Sequence, residues 1–127
     1  MSEENILFQP IKKYCRRDVA TCDPEENVFT VAGVMRDLHI SSVIVCENDN
    51  PIGILTDRDL RNKIVAQGID PSNVVARDIM NTPLITVGED DFIFEALYRI
   101  SKNGIHRICV VDQEDRLSGI ITVTDIM

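Results

Sequence analysis

No stretch of this chain stays apolar long enough to cross a membrane. The longest aliphatic runs, such as Val43 to Cys46 and Ile108 to Val111, are strand-sized, far below the roughly 20 residues that a span requires. The N-terminus, MSEENILF, lacks the basic and apolar regions of a signal peptide. Both absences predict a soluble, cytoplasmic protein. Basic residues are scarce: 13 Lys and Arg stand against 21 Asp and Glu, for a net charge of −8. That deficit argues against a nucleic-acid partner, which needs a clustered basic face. A small anion can still bind where a few cations converge. Neither a P-loop nor a GxGxxG phrase is present, and no serine, cysteine or metal constellation stands beside a plausible base, so no enzyme is expected. The four cysteines, Cys15, Cys22, Cys46 and Cys109, show no CxxC or other metal-like spacing. Cys46 and Cys109 fall inside aliphatic strands, where a thiol behaves as a small hydrophobe.

What the chain does have is a phrase used twice. GILTDRD at residues 53–59 is matched by GIITVTD at 119–125. Each runs from a glycine through two aliphatic residues to a threonine, with an aspartate three positions later. The likeness extends upstream, where Thr21 to Ile40 matches Thr86 to Ile105 at an offset of 65. Val28 falls on Ile93, Phe29 on Phe94, Val31 on Ala96 and Met35 on Ile100. One extra residue in the second turn moves the offset to 66 for the glycine phrases. A match of this length is a tandem duplication.

Both copies carry the same elements. A short apolar strand (Val19 to Thr21; Leu84 to Val87) leads into an acidic helix start, DPEEN or GEDD. The helices present Val28, Val31, Ala32 and Met35, or Ile93, Ala96, Leu97 and Ile100, at the three-to-four spacing of one buried face. Gly104 is placed to cap the second helix. Two strands joined by a polar turn follow, ENDN in one copy and DQEDR in the other. A last helix from about Asp57 to Gly68 should bury Leu60, Ile64 and Val65; its counterpart is cut short at Met127, which suggests a fragment of a longer polypeptide. The expected fold is α/β, two tandem strand-helix-strand-strand-helix repeats. The boundaries fall at 11–68 and 69–127, with 1–10 as a lead-in. Neither copy alone has enough apolar surface to stand by itself, so the copies should pack on each other.

The glycine phrase has a chemistry of its own. Gly53 and Gly119 let a backbone or a ligand approach closely. Thr56 and Thr122 stand where a strand gives way to a helix, next to unpaired amides that suit an anion. Asp59 and Asp125 lie one turn on, where a carboxylate can accept two hydrogen bonds from a cis-diol. Together these groups suit a ribose phosphate. Plain helix capping uses the same residue types, and the sequence leaves both readings open.

With these phrases, and with GIHRICVVDQEDRLSGIITVTDI in the second copy, the chain resembles a tandem pair of cystathionine beta-synthase (CBS) domains over roughly Ile11 to Met127. The resemblance implies pseudo-twofold packing with two clefts between the copies, which in this family take adenosine-containing ligands such as AMP, ADP, ATP or S-adenosylmethionine. It implies ribose-binding roles for Asp59 and Asp125, and ribose-phosphate roles for Thr56 and Thr122. Ala20-Thr21 and Ile85-Thr86 match the segment whose backbone meets the adenine edge. His106 and Arg107 match a phosphate-reaching pair, although a histidine at a strand start also serves as a plain hydrogen-bonded surface residue. The first copy has Ser41-Ser42 there and offers Arg58 instead, so two unequal sites are expected. No cofactor beyond the regulatory nucleotide is implied. The expected function is a regulatory module that senses adenine nucleotides, forms a homodimer and signals to an attached or partner domain. The alternative is a structural dimerisation module whose clefts are empty or hold something other than adenosine.

Overall fold

The computed structural model describes residues 5–126. They divide into two compact units: residues 20–84 form one, and the described parts of 1–19 and 85–127 form the other. Each unit is a three-stranded mixed sheet with helices.

In the unit of residues 20–84, β1 (Thr21–Cys22) pairs parallel with β2 (Ser42–Glu47), which pairs antiparallel with β3 (Asn50–Thr56). The parallel pairing requires a crossover, and α1 (Val28–Leu38) supplies it. The Asn27 side chain caps α1 by accepting from the Phe29 amide at 2.8 Å. At the other end His39 takes a left-handed conformation, φ 54°, and donates its N–H to the Arg36 and Met35 carbonyls. Val28, Val31 and Met35 pack on Val43, Val45 and Leu55 of the sheet. After β3 the chain makes one helical turn, α2 (Asp57–Asp59), and continues as a π-helix over Leu60–Val65. Ile64 joins the core at 3% exposure, whereas Val65 is 74% exposed. The expected apolar face was drawn one residue too wide, because the segment presents only one flank to the sheet. A further short helix, α3 (Ala76–Ile79), completes this unit.

The other unit repeats the plan. Strand β4 (Thr86–Gly88) pairs parallel with β5 (Arg107–Val111), which pairs antiparallel with β6 (Leu117–Thr122). Helix α4 (Ile93–Asn103) buries Ile93, Ala96 and Ile100 and ends on Gly104 at φ 61°. Helix α5 (Val123–Ile126) follows β6; the chain end at Met127 lies outside the described residues. Among the described residues, no helix is long and apolar enough to cross a membrane.

The packing of the segments that open each repeat was not legible. Residues 10–16, at the start of the first repeat, dock on the second: Pro10 bridges to Phe92, Arg16 to Ile120, and Ile11 is fully buried among Val87, Ile93 and Ile121. Residues 75–81, near the start of the second repeat, dock on the first: Val75 bridges to Asn27, Asn81 to Ile54, and Ala76 is fully buried beside Val28 and Leu55. These pairs are related by the offset of 65, or of 66 where the partner lies in the last strand (Ile54 and Ile120). The duplication therefore starts near residue 10, in segments (PIKKYCR and VARDIMN) that share pattern but almost no identity.

The repeated glycines are where these segments cross the sheet. A Cβ on Gly119 would stand 2.6 Å from the Arg16 carbonyl oxygen, and one on Gly53 would stand 2.6 Å from Met80 Sδ. The first clash is with backbone, the second mainly with a flexible thioether that can move. Gly119→Ala should therefore cost about 1–3 kcal/mol and Gly53→Ala clearly less, as read by urea unfolding. Equal losses would show that the crossing does not dictate these glycines.

Candidate functional site

Each repeat carries one threonine–aspartate pair at the junction of its last strand and helix. In the first, Asp59 is 6% exposed, the one buried charged residue among the described residues. A carboxylate that deep needs donors. Its Oδ2 accepts from the Thr56 amide at 2.8 Å, the Thr56 hydroxyl at 2.9 Å and Asn81 Nδ2 at 2.7 Å. Its Oδ1 faces Lys63 Nζ at 3.3 Å. The Asp59 amide donates in return to Thr56 Oγ1 at 3.3 Å, which closes a capping box. Lys63 also donates to the Ile79 carbonyl at 2.8 Å and to Asn81 Oδ1 at 3.1 Å.

In the second repeat, Asp125 Oδ2 accepts from the Thr122 amide at 3.0 Å, and the Asp125 amide donates to Thr122 Oγ1 at 3.2 Å. Arg16 Nε donates to Oδ1 at 2.8 Å. The Asp125 side chain is 8% exposed and that of Arg16 is 66% exposed. Burial pushes the Asp125 carboxyl up, but the Thr122 amide and the Arg16 guanidinium outweigh it, so the group lies below the ordinary carboxylate range.

Capping is thus realised at both junctions. The amides and hydroxyls that the sequence offered to an anion are engaged with the aspartates.

The remaining candidates separate into two sets. Ala20, Thr21 and Arg58 lie in the same unit as Thr56 and Asp59. The Ala20 carbonyl accepts from the Ile44 amide at 3.0 Å; Thr21 sits on β1 opposite Ile44; Arg58 is exposed. Thr21 also helps line a cavity of about 270 Å³ with Cys22, Thr30, Val31, Val34 and Val43. Burial, followed by the nearby Glu26, pushes the Cys22 thiol up to about 11, so the thiol stays neutral; Glu26 also lines the cavity and gives its wall an acidic group. Ile85, Thr86, His106 and Arg107 lie with Thr122 and Asp125. Ile85 packs against the core there and Thr86 pairs with Cys109. His106 is exposed. Arg107 stands directly opposite Thr122 across the β5–β6 ladder, so both side chains leave the sheet on one face.

Arg16, Asn81 and Lys63 were missed by sequence reasoning. The offset of 65 carried upstream would have put Arg16 on Asn81. Among the described residues, no group of His, Cys, Asp and Glu could hold a metal ion.

A family model described as CBS domain matches the chain twice, at residues 11–66 and 76–127. An uncharacterised protein of Methanopyrus kandleri is 45% identical over 92% of this chain, which spans 60% of that relative's length. Two solved structures show the same fold. A CBS domain protein of Pyrobaculum aerophilum, complexed with AMP, superposes with a TM-score of 0.83 at 21% identity, covering 91% of this chain and 88% of its own. A CBS domain pair in complex with 5′-methylthioadenosine and S-adenosyl-L-methionine gives 0.81 at 24% identity, covering 94% and 93%.

The low pKa of Asp125 has a sign that can be checked. A carboxyl depressed in the folded state adds stability that is complete above its unfolded value of about 4 and is lost as pH falls through the folded value. Asp125→Asn should therefore be less stable than the parent near neutral pH, with the gap narrowing as urea unfolding is repeated below about pH 4. A gap independent of pH would mean that the charge of Asp125 does not stabilise the fold.

Proposed function

The chain belongs to the CBS domain family, and we propose that it is a regulatory module that binds adenosine-containing nucleotides and reports their presence to an attached or partner domain. The observation that carries this reading is the pair of nearly buried carboxylates, Asp59 and Asp125, each oriented by its own threonine. A carboxylate held in one orientation is suited to accept two hydrogen bonds from a ribose diol, and a charged acceptor makes these the stronger kind. Supporting parts stand in the same units. The cavity beside Thr21 has apolar walls from Val31, Val34 and Val43 that suit a purine face, with backbone from Ala20-Thr21 for its edge; Ile85-Thr86 hold the equivalent positions in the second repeat. Arg107, across from Thr122, and His106 serve the phosphates in the second repeat, and Arg58 serves them in the first. Two relatives of the same fold were solved with AMP and with S-adenosyl-L-methionine. Such a nucleotide sensor acts in the cytoplasm.

A thermal-shift series with AMP, ATP and S-adenosylmethionine tests this. A ligand at a hundred times its dissociation constant adds ~2.7 kcal/mol to stability. Asp59→Asn and Asp125→Asn should each weaken one binding event by about ten- to hundred-fold in calorimetry, since a charged acceptor is worth ~1.5–3 kcal/mol. Unchanged titrations in both variants would remove the ribose assignment.

Self-association has its own support. Helix α1 exposes Phe29 and Leu38 at 66% and 57%, and α4 exposes Phe94 and Tyr98 at 54% and 51%. Phe29 and Phe94 are equivalent positions, so both repeats leave an aromatic ring exposed at the same place on the helix. We read these faces as the surface of a homodimer, which would equally serve a purely structural dimerisation module. Light scattering should give twice the monomer mass at micromolar concentration, and Phe29→Asp should shift it toward monomer.

A further inference from the structure

Resting on the adenosine reading, we propose that Arg16 is the specificity-determining residue of the second-repeat site: it orients Asp125 for the ribose and at the same time supplies the cation that favours a phosphorylated ligand. The two carboxylates differ in the donors around them. The residue at the equivalent place in the first repeat is Asn81, which caps Asp59 with a neutral amide at 2.7 Å. The cation there is Lys63, whose ammonium has three N–H donors, and all three have partners: Asp59, the Ile79 carbonyl and Asn81. It has nothing left to offer a ligand.

Arg16 differs on both counts. A guanidinium has five N–H donors in a planar fork. Arg16 commits Nε to Asp125, and among the described residues neither Nη group has a hydrogen-bond partner. The side chain is 66% exposed while the carboxylate beside it is 8% exposed, so the fork reaches from a buried acceptor toward solvent. Its backbone is fixed by paired hydrogen bonds with Ile120 at 2.8 and 2.9 Å, made where Gly119 lets the chains touch. The fork is therefore anchored at its base and open at its tip, the arrangement that suits bidentate contact with a phosphate. In a chain of net charge −8, an uncompensated Asp125 would also repel the anion that it helps to bind, and Arg16 cancels that charge.

The test separates charge from positioning. Arg16→Gln keeps a donor for Asp125, as Asn81 does for Asp59, but removes the positive charge; Arg16→Lys keeps the charge and loses the fork. AMP and adenosine are titrated into the parent and both variants by calorimetry. Arg16→Gln should lose AMP affinity at one site by about tenfold with adenosine changed less than about twofold, and Arg16→Lys should keep part of the preference. Raised salt should narrow the AMP-to-adenosine ratio in the parent, and narrow it less in Arg16→Gln, where Arg107 is the remaining arginine. Equal losses for both ligands would make Arg16 a structural support only and overturn the proposal, as would an unchanged ratio. A parent that binds neither ligand would overturn the adenosine reading itself, and this inference with it.

Discussion

A carboxylate removed from water must be surrounded by donors, and the arrangement of both repeats around Asp59 and Asp125 follows from that need. Moving such a charge out of water without partners costs several kcal/mol. The threonine immediately before the helix turn answers part of the need, through the Thr56 or Thr122 amide. The rest comes from a segment distant in sequence, Asn81 in one unit and Arg16 in the other. Those donors arrive only because the segment carrying each can lie against the sheet, and it can do so because residues 53 and 119 have no side chain. Glycine, crossing segment, donor and carboxylate form a chain of dependence in each unit.

Duplication preserved this geometry while letting the chemistry diverge. The bridges Arg16 to Ile120 and Ile54 to Asn81 hold the same backbone relation. The side chains that follow from it do not match: one carboxylate meets a guanidinium, the other an amide and an ammonium. Backbone pairing tolerates nearly any side chain at these positions, so selection on the ligand can act on them without disturbing the fold. The cores show the opposite behaviour. Val28 and Ile93, Val31 and Ala96, and Met35 and Ile100 are exchanged only within the apolar class, since all are buried.

Much of this was legible in the linear chain. The tandem repeat, the strand and helix order, the buried faces of α1 and α4, and the Gly104 cap follow from periodicity and residue type over windows of a few turns. The threonine and aspartate three residues apart announced a helix start, and the capping box at Thr56 and Asp59 is that signal made concrete. Where the reading overreached, at Val65, a local pattern was extended past the flank that the sheet covers.

What only the tertiary structure decided is which distant segment meets which carboxylate. Arg16 and Asp125 stand 109 positions apart, and no periodicity links residues at that separation. The opening segment of the first repeat serves the second, and the opening segment of the second serves the first. Those pairings are settled by the burial of Ile11 and Ala76 in their respective cores and by the room left at Gly119 and Gly53. Local sequence determined the elements and the residues able to carry a charge inward. Long-range packing determined which donors meet that charge, because desolvation is resolved only once the chain has closed around it.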